Sequence, residues 1–108
     1  MKILTRADEI LLLAILRLKD NAYGTSILKE IKVRTGKELS FGSLWVSLDS
    51  LARRGLINKR TAKETHPHGG RKKIFYRLTS SGILELQSTQ KLNRRLWGGA
   101  SSRLKNYE

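Results

Sequence analysis

The side chains able to do chemistry gather in two places. Residues 40–57, SFGSLWVSLDSLARRGLI, place Ser43, Val46, Ser47, Asp49, Ser50 and Arg53 on one side of a helical wheel. Small side chains let a backbone approach a groove closely, and their hydroxyls can donate to phosphates or base edges. Further on, Lys59, Arg60, Lys63, Arg71, Lys72, Lys73 and Arg77 surround a single acidic residue, Glu64. A loop of that charge suits a phosphate backbone or a minor groove. Its binding energy would come mainly from counterion release, so affinity should fall steeply with salt.

Catalysis finds no comparable support. The carboxylates are scattered singly, and Gly69-Gly70 lacks the strand-to-helix context of a phosphate-cradling loop. His66 and His68 flank Pro67, the chain's one proline. Two histidines without cysteine or a well-placed carboxylate make half a metal site at best. The residues point to no enzyme, cofactor or metal.

Composition agrees with a polyanionic partner. Across 108 residues there are 22 Lys and Arg against 9 Asp and Glu, a formal charge of +13 and a pI near 10.7. DNA, RNA and acidic membrane surfaces all fit that excess. The absence of cysteine excludes a disulfide framework and thiolate metal sites. The start, MKILTRADE, turns acidic before its apolar run, unlike a signal peptide. The run itself, residues 10–18, is broken by Arg17 and falls short of the roughly 20 residues that span a bilayer. A soluble, cytoplasmic chain with one modest core is expected.

The elements that must position these residues follow from periodicity. Leu44, Leu48 and Leu51 recur at i, i+4 and i+7, with Trp45 and Ala52 widening the apolar stripe, so residues 40–57 begin as one amphipathic helix. Ser40 or Ser43 can cap it, and Gly55 stands where a helix stops. Trp45 reads as core- or backbone-facing. Upstream, Thr5 or Asp8 opens a first helix that is apolar nearly all round from residue 10 to 18. Such a helix is either central or covered by a second surface, and a second copy of the chain is the simplest cover. A second helix follows Tyr23-Gly24, with Ile27, Leu28, Ile31 and, at its margin, Val33 as the apolar side, and ends at Gly36. Residues 39–41 have room for a brief strand.

After Gly55 a strand-like piece, residues 56–61, precedes a basic loop. KIFYRL, residues 73–78, then alternates, with Ile74, Tyr76 and Leu78 on one face and Lys73, Phe75 and Arg77 on the other. Thr79 caps a last helix on which Ile83, Leu86, Gln90 and Trp97 trace a stripe, with Leu92 and Leu96 beside it. Trp97, large and near the helix end, reads as an interface anchor. The order describes a mostly α fold with a small β-hairpin wing: a winged helix-turn-helix over residues 1–78, a C-terminal dimerisation helix over 79–97, and a short flexible tail over 98–108 with room for one extra helical turn.

These residues resemble the PadR-like transcriptional regulators. The family's apolar first helix and Tyr-Gly step are matched by ILLLAIL and Tyr23-Gly24. Its third-helix pattern, Gly-Thr-Leu-Tyr-Pro-x-Leu-x-x-Leu-x-x-x-Gly-Leu-Ile, appears here as residues 42–57, with Trp45 for the usual Tyr and Val46 for the usual Pro. Gly70-Arg71 and Phe75-Tyr76-Arg77-Leu78-Thr79-x-x-Gly82 match two later blocks. The resemblance covers roughly residues 8–86 and is closest to the short branch with one C-terminal helix. It implies a homodimer in which the last helix packs on the partner's first helix, repression as the mode of action, and a small planar hydrophobic effector stacked on Trp97 at the dimer interface.

The resulting expectation is a sequence-specific regulator of double-stranded DNA. Ser43, Val46 and Ser47 are the reading positions, while Lys37, Arg71, Lys72 and Lys73 neutralise phosphates. Tyr23 and Ser40, at the openings of the second and third helices, complete the DNA-binding set. Leu12, Ile15, Leu16, Ile83, Leu86, Leu92, Leu96 and Trp97 form the dimerisation set. Two other readings compete: a packaging or RNA-binding protein without sequence preference, and a winged-helix protein-interaction module.

Overall fold

Thr5 opens the first helix, α1 (Arg6–Leu18). Its hydroxyl accepts from the Asp8 N–H at 3.0 Å, and the Asp8 carboxylate accepts from the Thr5 N–H at 3.4 Å. This capping box satisfies donors at both ends of the first turn, so Thr5 rather than Asp8 is the cap. The computed structural model describes residues 3–63 and 72–107. A short 3-10 turn, Lys19–Asn21, leads to α2 (Gly24–Thr35), and Ser40 caps α3 (Phe41–Arg53) by accepting from the Ser43 N–H at 3.1 Å. Gly55 ends that helix at φ +73°, a conformation costly for any side-chain-bearing residue, and turns the chain into β1 (Ile57–Lys63). Antiparallel β2 (Lys72–Leu78) pairs with it from Ile57↔Leu78 to Lys63↔Lys72. Then come α4 (Ser80–Trp97) and α5 (Ala100–Lys105).

The core lies where α1, α2, α3 and the hairpin meet. Leu12, Ile27, Leu44, Leu48 and Leu51 are each no more than 1 % exposed, and Ile57 and Tyr76 close the core from the strands. The three leucines of α3 fall on this side, as their spacing predicts. Fully burying a side chain of this size stabilises the fold by about 1.5–3 kcal/mol, so this cluster carries much of the domain.

Several expectations are corrected. Leu12 and Ile15 belong to the core of the single chain, at 0 % and 2 % exposure, and are unavailable to a second copy; on α1 it is Leu13 and Leu16 that face outward. Val33 projects from α2 at 81 % exposure, because the apolar side of that helix ends at Ile31. No strand forms at residues 39–41, since Ser40 is spent on capping α3. The extra strand pairing occurs instead at Tyr23, which bridges to Phe75, while the Tyr76 N–H donates to the Ala22 carbonyl at 2.8 Å. Part of the tail is helical, as α5. Among the described residues no helix is long and apolar enough to cross a membrane.

Helix α4 is fastened at its start. Thr79 accepts from the Gly82 N–H at 3.0 Å and donates its hydroxyl to the Gly55 carbonyl at 2.6 Å, while its own N–H reaches the Leu56 carbonyl at 3.1 Å. One side chain thus caps α4 and holds it against the end of α3. Thr79→Ala removes both hydroxyl bonds and should lower unfolding free energy by about 1–2 kcal/mol, read from urea denaturation.

Candidate nucleic-acid interface

The outer face of α3 is built as a surface. Ser43, Ser50 and Val46 are exposed and Ser47 is half-buried, so the three expected reading positions share the side opposite Leu44, Leu48 and Leu51. The Ser40 hydroxyl donates to the Ser43 Oγ at 3.1 Å, leaving the Ser43 proton available to an outside acceptor. Ser40 itself serves the helix, by capping and by orienting Ser43. Lys37 stands exposed just before the helix. Trp45 is 45 % exposed and not a core residue, because the apolar side of the helix is narrower than its sequence implies.

The root of the wing is held by rings. Tyr23 and Phe75 meet edge to face, with centroids 5.6 Å apart. The Lys73 ammonium lies 4.5 Å from the Tyr23 ring centroid, and the Arg60 guanidinium 4.9 Å from that of Phe75. Each ring face attracts a cation, and such pairs contribute about 0.5–1 kcal/mol at exposed sites. Tyr23 therefore acts by positioning Lys73. Phe75 is absent from the expected site, although alternation in β2 puts it on the outer face between two cations, and Arg60 is expected only as part of the basic loop and not in the DNA-binding set. Lys72 opens β2, while Arg71, His66, His68 and Glu64 lie outside the described residues. Among those described, no cluster of His, Cys, Asp or Glu could hold a metal ion.

Asp49 ties α3 to the wing. Its carboxylate pairs with Arg53 at 2.5 Å and reaches Lys59 of β1 at 3.6 Å. Lys59 lies opposite Tyr76 in the register and so shares its side of the sheet. Burial, with the Asp49 charge as a smaller cause, raises the Tyr76 pKa above its usual value of 10.0, and among the described residues the phenol has no hydrogen-bond partner. Tyr76 is thus a neutral wedge between wing and helix, and Lys59 is partly committed inward.

A second surface lies on the other side of α1. Leu13 and Leu16 face Ile83, Leu86 and Trp97 of α4 across an open cleft of about 640 Å³. Asn93 donates to Glu9 at 3.0 Å and joins the two helices there. Leu16, Ile83 and Trp97 are each at least 44 % exposed, an apolar face left uncovered in the single chain. Leu92 departs from expectation: it lies in a separate groove with Ile3 and Leu4, and Leu96 is exposed and does not line the cleft. The angular step from Trp97 back to Leu92 carries it to another side of the helix.

Helix, hairpin and basic wing root have clear relatives. The model of the transcriptional regulator PadR-like family matches residues 12–88, well over half the chain. A PadR family transcription regulator from Clostridium difficile R20291 is 26 % identical, covering 90 % of this chain and 96 % of its own, with a TM-score of 0.69. Bacillus subtilis PadR, solved in complex with operator DNA, is 26 % identical over 77 % of this chain and 46 % of its own, with a TM-score of 0.63. The winged-helix DNA-binding protein F93 from STIV shares the fold at 22 % identity and a TM-score of 0.66, covering 88 % of this chain and 95 % of its own. No curated protein matches the sequence. The chain belongs to the PadR-like family, whose members are transcriptional regulators and not enzymes.

Proposed function

We propose that the protein is a homodimeric repressor acting in the cytoplasm on a pseudo-palindromic operator in double-stranded DNA. The observation that carries this reading is the exposed face of α3, flanked by Lys37 and by the ring-held cations of the wing root, in a member of a regulator family. In this reading Ser43, Val46 and Ser47 enter the major groove, and Lys37, Arg71, Lys72 and Lys73 neutralise phosphates. The structural likeness to Bacillus subtilis PadR with its operator DNA supports the same docking.

Dimerisation is supported by the uncovered apolar face of α1 and α4. The second copy would cover Leu13, Leu16, Ile83, Leu86 and Trp97, burying surface that water otherwise wets. A two-fold axis then sets half-sites about one helical turn apart, roughly 34 Å. The apolar cleft beside Trp97 suits a small hydrophobic effector at that interface. Leu16→Asp should give a folded monomer in sedimentation velocity, since Leu16 is half-exposed and its loss leaves the core intact; a dimer unchanged in mass would remove α1 from the interface.

The test of function is selection of bound duplexes from a random pool at near-physiological salt. An enriched inverted repeat supports a dimeric sequence-specific regulator. Retained binding without enrichment favours a packaging or RNA-binding role, and no binding favours a protein-interaction module. Changing Arg71, Lys72 and Lys73 together to Ala should flatten the slope of log affinity against log salt by up to about 2.7, at 0.9 per lost phosphate contact, with little change in sequence preference.

A further inference from the structure

The first two turns of α3 carry no side chain able to read guanine or adenine by paired hydrogen bonds. Between Phe41 and Leu48 there is no Arg, Lys, Asn, Gln or acidic residue, and the first charged one, Asp49, is engaged by Arg53 and Lys59. What these turns expose beside two serines is apolar: Phe41 at 53 %, Trp45 at 45 % and Val46 at 72 %. The ring of Phe41 rests beside Gly24 of α2, so it is steadied from behind.

Gly42 gives this surface its shape. On a helix the neighbours of Gly42 at i+3 and i+4 are Trp45 and Val46. A Cβ built on Gly42 would meet no other atom nearer than the Ser40 Oγ at 3.9 Å. The result is a notch where no side chain stands, bordered one turn further along the helix by an indole and an isopropyl group. Exposed cations stand before and after this stretch in the chain, Lys37 ahead of the helix and Arg53 at its far end. An apolar notch on so basic a chain fits an apolar spot on a polyanion, and the apolar group that the major groove displays is the C5-methyl of thymine.

We propose that the notch formed by Gly42, Trp45 and Val46 reads thymine through its C5-methyl group. The inference rests on the reading of α3 as the helix that enters the major groove. It names what that helix recognises: half-sites with thymine at the positions facing the notch, selected by methyl contact and serine hydroxyls and not by guanidinium–guanine pairing.

The test starts from the duplex enriched in the random-pool selection and replaces each thymine in turn by deoxyuridine, which removes the methyl group alone. At one or two positions per half-site affinity should fall about four-fold, the worth of one buried methyl, and elsewhere stay level. Val46→Ala, which takes away a wall, and Gly42→Ala, which fills the notch, should keep the wild-type melting temperature and lose the difference between thymine and deoxyuridine. A flat deoxyuridine scan on an enriched site overturns methyl reading while leaving the regulator intact. Failure to enrich any site overturns both.

Discussion

Gly82→Ala should lower the melting temperature by about 12 °C or more. A Cβ at position 82 would stand 2.2 Å from the Leu56 carbonyl oxygen and 3.2 Å from its carbon. The obstacle is backbone, so no side chain can swing aside. Either α4 lifts away from the turn at Leu56 or that turn moves. Both break the bond from the Thr79 N–H to that same carbonyl and loosen the Thr79 latch to Gly55. Overpacking of this kind costs about 3 kcal/mol, and a domain of about 100 residues loses roughly 4–8 °C per kcal/mol. Thermal unfolding followed by circular dichroism gives the answer, with exposed Ser81→Ala as the control. Because α4 carries Ile83, Leu86 and Trp97, the same variant should also lose dimer affinity. An unchanged melting curve would mean that the start of α4 does not pack on the Leu56 backbone as described.

The second large effect separates folding from binding on one helix. Leu48→Asp places a carboxylate at a position 1 % exposed, inside the hydrophobic core cluster. Truncating a buried leucine alone costs about 2–5 kcal/mol, and the charge adds several more. That is comparable with all that a domain of this size holds in reserve, about 5–15 kcal/mol, so the cooperative melt should be lost or shifted far down in temperature. Val46→Asp, two residues earlier at 72 % exposure, should melt like the wild type and yet lose DNA binding, since it presents a negative charge to the groove. A folded, DNA-binding Leu48→Asp variant would reverse the orientation of α3. Val46→Asp with full affinity would take that face out of the groove.

What could be read without coordinates was local. The cap at Thr79, the pairs Thr5/Asp8 and Ser40/Ser43 from which the structure selects Thr5 and Ser40, the stop at Gly55 and the alternation of β2 are set by a few adjacent residues, and α1, α3 and α4 start where these caps stand. What escaped was orientation. A helix apolar all round has no polar face to mark its phase, so Leu12 and Ile15 could not be told from Leu13 and Leu16. The pairing of Tyr23 with Phe75 joins residues distant in the chain, and the aromatic-cation cluster exists only through that pairing. Trp45 and Val33 are apolar yet exposed, because apolar character does not by itself mean burial and a small domain always leaves some apolar side chains outside.

The strand order has a further consequence. Among the described residues β2 has neighbours on both flanks, β1 on one and Tyr23 on the other, whereas β1 is paired on one side alone. An open strand edge is a template for another chain, and Ile74–Leu78 of β2 is the kind of β-prone segment that aggregates when exposed. Along β1 the exposed residues include Asn58, Lys59, Arg60 and Thr61, and Lys72 and Lys73 stand at the head of β2. Like charges there repel an incoming copy of the same strand. The cations of the wing thus also guard solubility, and a variant stripped of them to abolish phosphate binding would be the variant most prone to stack into fibres.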